Sequence, residues 1–265
     1  MEKKRIIGIK LGSATLVSEE KINRQFIRRV CKQIAALVQD GNGVFVVTSG
    51  AIASDPSEKR SRNLRSAVGQ IRIVNRYAME LEKLGIDAAQ MLLTDDYLFD
   101  AKNNPKTCLT KKIMLEAFAA GVVPVINAND VIDNEEIKAL EHCADNDRLF
   151  KLMCLLVGAD IAIIGFDQPG FLNREGKVMH RVNVSEIETV LECAKGGSVL
   201  GHGNNGMRTK VLVLAELAQA GTQAHLAPAK ENNFILRTIL WEKNFGTQFY
   251  INDVEPANHR EYMFF

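Results

Sequence analysis

Short apolar runs and longer stretches of helical period alternate along most of the chain. Residues 5–9 (RIIGI), 44–47 (VFVV), 87–93 (DAAQMLL), 122–126 and 161–164 have the length and apolar character of buried strands. Between the first two, Ile22, Phe26, Ile27, Val30, Ile34 and Leu37 recur at helical spacing, and Gly41-Asn42-Gly43 stops that helix. Leu64, Ala67, Val68, Ile71, Tyr77, Ala78 and Leu81 mark a second, longer helix ended by Gly85. Further helices are expected over 111–120, 147–158, 184–194, 207–220 and 232–240, with a hairpin over 170–178 and late strands at 224–227 and 246–251. Residues 54–62 and 95–107 are polar and read as loops.

Strands alternating with helices imply an α/β fold, an open, mostly parallel sheet sandwiched by helices. A weak boundary falls near 165–171, the last third continuing the same sheet.

In a parallel sheet the strand exits share one edge, where open α/β sheets bind ligands. Lys10 and Gly12 are expected after the first strand, Ser49 and Gly50 after the second, Asn127 and Asp130 after the fourth, and Asp167 after the fifth. The stretch 203–210 (GNNGMRTK) opens a late helix, and Asp145-Asn146-Asp147 precede another, where a carboxylate or amide suits a cap. Gly12, Gly50 and Gly206 would let backbone N–H groups approach an anion, and Lys10 and Lys210 would add fixed charge. Taken singly, each of these residues also suits an ordinary turn, cap or solvated surface.

Composition narrows the classes. The 265 residues are 46% hydrophobic and 25% charged, the balance of a folded globular chain. A net charge of +1 gives no footprint for nucleic acid or an anionic membrane. Charge runs such as Glu58-Lys59-Arg60 read as solvated faces. Cys31, Cys108, Cys143, Cys154 and Cys193 have neither zinc nor disulfide-framework spacing, and no apolar run has the length of a signal or spanning segment. The expectation is a cytoplasmic enzyme or binding protein. No GxGxxG follows the first strand, there is no GxSxG elbow or HExxH pair, and GNNGMRTK is not a GxxxxGK[ST] loop.

Ten pieces carry a resemblance: IKLGSATL (9–16), VVTSGAIA (46–53), SAVGQ (66–70), QMLLT (90–94), GVVPVINAND (121–130), EIK (136–138), DND (145–147), LVGAD (156–160), DQPG (167–170) and GMRTK (206–210). In this order they resemble the amino acid kinase family, and within it the glutamate 5-kinase group, over roughly residues 5–250. The resemblance implies the three-layer amino acid kinase or carbamate kinase-like fold. It would form one kinase domain over 1–252, with an acceptor lobe to about 165, a nucleotide lobe over 166–252, and a tail over 253–265. It implies ATP- and Mg²⁺-dependent phosphorylation of a carboxylate, with glutamate as acceptor and γ-glutamyl phosphate as product, the first step of proline synthesis. A homo-oligomer is implied as well.

By position, Lys10 and Lys210 resemble the lysines that neutralise the moving phosphoryl group, and Asp147 the carboxylate that holds them. Ser49, Gly50, Asp130 and Asn146 resemble acceptor-binding positions, supported by Asn127 and Asp145. Lys10, Gly12, Phe166, Asp167, Gly203, Asn204, Asn205, Gly206, Met207 and Lys210 match the nucleotide side; no residue is assigned to a metal. The departures are a shortened 54–62 loop, Phe166 in place of a usual threonine, and Asn204-Asn205 where Thr-Gly is common. The spacer before Asp145 is longer than usual, with Ala144 in place of glycine, and no counterpart of the RNA-binding-like C-terminal domain of many bacterial members is seen.

Overall fold

The computed structural model describes residues 4–18, 21–94, 104–132, 146–195 and 204–251. The chain divides into two compact units, Met1–Ala159 and Asp160–Phe265.

The first unit is built on four parallel strands in the order β5 (Ala88–Leu93), β6 (Val123–Ala128), β4 (Gly43–Thr48), β1 (Ile6–Leu11). A small hairpin, β2 (Val17–Ser18) with β3 (Lys21–Ile22), follows the four-residue helix α1 (Ser13–Leu16). The flanking helices are α2 (Arg24–Gln39), α3 (Arg62–Glu82), α4 (Pro105–Ala119) and α5 (Asn146–Val157).

Three of these helices, α2, α3 and α4, start where the sequence supplies a cap. Asn23 Oδ1 accepts from Phe26 N at 3.0 Å, Ser61 Oγ from Leu64 N at 3.3 Å, and Asn104 Oδ1 from Lys106 N at 2.9 Å. Asn104-Pro105 therefore begins α4 six residues before the expected start at 111, because proline at the first helical position needs no partner for its missing N–H. Leu109, Ile113 and Leu115 are exposed on this helix, which blurs the apolar stripe that pattern reading depends on.

Register assigns the strand residues to two faces. Gly8 pairs with Phe45, and Lys10 pairs with Val47, which pairs in turn with Ile126. Side chains alternate along a strand and cross-strand partners share a face, so Gly8, Phe45, Lys10, Val47 and Ile126 stand on one side. That side is covered by α4 and α5: the Phe45 ring lies 6.3 Å from Phe118 and 6.2 Å from Phe150. α2 and α3 cover the other side. Lys10 and Asn127 thus lie inside β1 and β6, whereas the sequence pattern put both beyond the strand ends.

The second unit orders its strands β7 (Ile161–Phe166), β9 (Gln223–Pro228), β10 (Thr247–Tyr250), β8 (Arg181–Asn183). β7 and β9 are parallel, β9 and β10 antiparallel, and β10 and β8 parallel. Its helices are α6 (Ile187–Lys195), α7 (Asn204–Gln219) and α8 (Phe234–Ile239). The three-residue β8 has too few residues to show a period, and sequence reading missed it. The hairpin expected over 170–178 is a single antiparallel bridge, Leu172 to Val178. Asn173 Oδ1 closes its turn by accepting from Glu175 N and Lys177 N at 3.0 and 2.9 Å. No helix among the described residues is long and apolar enough to cross a membrane.

At Gly8 the side chains of the sheet and of α5 close in on bare backbone. A Cβ there would lie 2.7 Å from Phe45 Cζ and 3.0 Å from both Cys154 Sγ and Phe150 Cε2. Gly8→Ala is expected to lower stability by about 1–3 kcal/mol through overpacking. Gly12→Ala, with nothing within 4 Å of its added Cβ, should leave the denaturation midpoint unchanged and serves as the control.

Candidate active site

α5 delivers the chemistry of the first unit. Its first turn carries Asn146 and Asp147 over the ends of the strands it packs against. Two residues after Gly8 makes room for Phe150, Lys10 emerges on the same face and its Nζ forms an ion pair with Asp147 Oδ1. Lys10 is 4% exposed and Asp147 1%. Each charge offsets part of the cost of burying the other.

Asn146 ties two strand exits together. Its Nδ2 donates to Ser49 Oγ at 3.0 Å, and its Oδ1 accepts from Ala128 N at 3.4 Å. Gly50, with φ +89°, turns the chain in a region favouring glycine, and Ser54 N returns to Gly50 O at 2.9 Å. Gly69 of α3 is pressed onto this turn: a Cβ there would sit 1.7 Å from Ala51 O. Asp130, just past β6, accepts from Ser66 Oγ at 3.4 Å. Asn127, 4% exposed and on the opposite pleat from Lys10, has an Oδ1 with no hydrogen-bond partner among the described residues. Asp145 lies outside the described residues.

The charge run Glu58-Lys59-Arg60 is exposed as expected, but its Arg60 reaches back to a buried carboxylate. Asp55 is 1% exposed, and both of its carboxylate oxygens accept from Arg60 Nη1 at 2.9 and 3.0 Å. These Arg60 hydrogen bonds are the main cause holding the Asp55 carboxyl below its ordinary pKa, with Ser57 N and the charge of Arg72 adding to them. Arg65 donates to the carbonyls of Asp55 and Ile52, and Arg72 donates to Ser54 O at 2.7 Å. Sequence reading missed this set. A buried aspartate followed five residues later by arginine has no distinctive pattern inside a charged stretch.

In the second unit, Phe166 closes β7, and its carbonyl accepts from Ala229 N at 2.7 Å. Lys210 of α7 has its Nζ 5.8 Å from the centre of the Phe166 ring and 3.1 Å from Gly206 O. Phe166, Gly206 and Lys210 are therefore gathered at one place. Asp167 follows Phe166 and is partly exposed, as is Met207. Asn204 and Asn205 form the first turn of α7, and Gly203 lies outside the described residues.

The amino acid kinase family model matches residues 5–228. The chain belongs to that family, and is a kinase. Curated relatives named glutamate 5-kinase share 32% identity over 98% of this chain in Hydrogenovibrio crunogenus, 33% over 88% in Polaromonas naphthalenivorans, and 29% over 98% in Streptococcus suis. The matches span 70%, 64% and 75% of those relatives' lengths. Among solved structures, carbamate kinase from Giardia lamblia bound to AMP-PNP superposes with a TM-score of 0.65 at 15% identity. That match covers 95% of this chain and 100% of the other, and a second Giardia carbamate kinase structure gives 0.66. The likeness establishes the amino acid kinase fold.

The ion pair sets a stability test. Asp147→Asn removes the carboxylate charge paired with the buried Lys10 ammonium, so the cost is expected at about 3–5 kcal/mol. Exchanging both residues for apolar ones, Lys10→Met with Asp147→Leu, should recover most of it in denaturant titrations.

Proposed function

We propose that this amino acid kinase family member transfers the γ-phosphoryl group of ATP to the γ-carboxylate of L-glutamate, releasing ADP and γ-glutamyl phosphate. This is the reaction that opens proline synthesis. The observation that carries the reading is the buried Lys10–Asp147 pair, in a unit whose other strand exits bear Ser49 and Asp130. The names of the curated relatives support the acceptor.

The chemistry asks little covalent help of the protein. A carboxylate oxygen forms the new O–P bond, the bond from the γ-phosphorus to the bridging oxygen breaks, and ADP takes the electron pair. The ionised acceptor has no proton to lose, so no general base is required. What opposes reaction is the approach of two anions, which fixed cations and N–H donors must overcome. In this reading Lys10 and Lys210 neutralise the moving phosphoryl group, and Asp147 fixes the Lys10 ammonium. Ser49 and Asn146, with Gly50 shaping their turn and Asn127 and Asp145 behind them, hold the acceptor. Asp130 receives its α-ammonium. Phe166, Asp167 and the 203–210 stretch hold the nucleotide.

Among the described residues no group of three or more His, Cys, Asp or Glu side chains is disposed to hold a metal ion. Mg²⁺ would therefore be carried on the nucleotide phosphates, its common mode in phosphoryl transfer, where it offsets their charge.

The shortened 54–62 loop, anchored by buried Asp55, favours a second reading in which the same chemistry serves another amino acid. ADP release with Mg²⁺-ATP and a panel of amino acids, with hydroxylamine to trap acyl phosphate, separates the two. Hydroxamate is expected with glutamate. Hydroxamate with a different amino acid alone would transfer the assignment to that acceptor, and none with any acceptor, despite ATP binding, would end the carboxylate kinase reading.

A further inference from the structure

The SAVGQ stretch (66–70) lies in α3, outside every residue given a role above except through its contacts. Asn63, Ser66 and Gln70 stand at i, i+3 and i+7, one stripe of the helix. Each grips a different point at the end of β6 or just past it. Asn63 Nδ2 donates to Val131 O at 3.0 Å, Ser66 Oγ to Asp130 Oδ2 at 3.4 Å, and Gln70 Nε2 to Ala128 O at 3.1 Å. Ser66 and Gln70 are buried.

The donors and acceptors in this chain have one consistent direction. Ala128 O is a carbonyl and only accepts, so the Gln70 amide must present its nitrogen there. The same NH₂ group has a second hydrogen, which it gives to Ser66 Oγ at 3.2 Å. With its oxygen already accepting, Ser66 is left with its single proton to donate, and an ionised Asp130 only accepts. The run Ala128 O, Gln70, Ser66, Asp130 thus directs one hydrogen bond at the charged form of the carboxylate. Gly69 sits between the two polar residues and presses α3 against the Gly50–Ser54 turn, and Ser54 Oγ reaches Ala51 O at 2.8 Å and Gly69 O at 3.4 Å. The helix is therefore referenced to both exits that the acceptor would touch.

We infer that Ser66, oriented by Gln70, is a positioning residue for Asp130 and sets how tightly the enzyme holds the α-ammonium group of its acceptor. The inference rests on the proposed function, since it takes Asp130 as the ammonium's partner. Its specificity is chemical: an acceptor with a free primary amine gains from the clamp, and the des-amino diacid does not.

The test is steady-state kinetics of Ser66→Ala with glutamate and Mg²⁺-ATP. KM for glutamate is expected to rise about 10-fold, the scale of losing one hydrogen bond to a charged group, while kcat and KM for ATP stay near wild type. In an Asp130→Asn background, Ser66→Ala should add no further change, because the two act through one carboxylate. A fall in kcat with KM for glutamate unchanged, or a full additional penalty in the Asp130→Asn background, would overturn the inference. If the wild-type protein turns over no amino acid, the proposed function fails on its own. The clamp is then judged by the crystal structure of Ser66→Ala, where Asp130 should leave its present rotamer; an unmoved carboxylate would overturn it.

Discussion

Two opposite charges buried against each other are an expensive thing to build into a fold. Apolar residues of the same volume usually serve stability as well or better than a buried ion pair, because removing both ions from water costs several kcal/mol each before their attraction is counted. Lys10 and Asp147 nevertheless sit at 4% and 1% exposure, one inside β1 and the other in the first turn of α5. The surroundings are arranged to make this possible. Gly8 yields its side-chain space to Phe45 and Phe150, which brings α5 down onto the sheet and its first turn within reach of the lysine two residues on. A lysine held this way has a fixed ammonium at the strand exit, which is what transfer between two anions requires.

The acceptor edge has its own organiser. α3 reaches the Gly50 turn through Gly69, the end of β6 through Gln70, the segment past it through Asn63 and Ser66, and the carbonyls of 52–55 through Arg65 and Arg72. Asp55 and Arg60 complete the packing of the 54–62 loop. The 54–62 loop is thus tied down by part-buried hydrogen bonds. Any effect it has on acceptor choice would be exerted by a fixed wall.

Much of this was legible in the amino-acid pattern, and the exceptions share physical causes. The apolar runs of β1, β4, β6, β7 and β9 and the stripe of α2 were readable because burial on both faces or one leaves a period. The β8 strand was not, since three residues carry no period, and the start of α4 was obscured by its exposed Leu109 and Ile113. Lys10 was legible as a candidate but misplaced beyond its strand, because a lysine reads as polar whether or not a carboxylate waits for it on the covering helix. Ser66 and Gln70 have partners brought by tertiary packing, and a partner 64 residues away leaves no local trace. Phe166 was legible as a nucleotide-side position and a departure from the family; its ring beneath the Lys210 ammonium became visible in three dimensions.

The central claim is that the Lys10–Asp147 pair is kept for turnover and not for the fold. The most direct measurement is ADP release by the Lys10→Met, Asp147→Leu double variant at saturating substrates, after its folding has been confirmed by denaturant titration. A stably folded protein whose kcat has fallen by about 10²-fold or more would bear out the claim, in line with the loss of preorganised charge at a reacting centre. A stably folded double variant with wild-type kcat would contradict it.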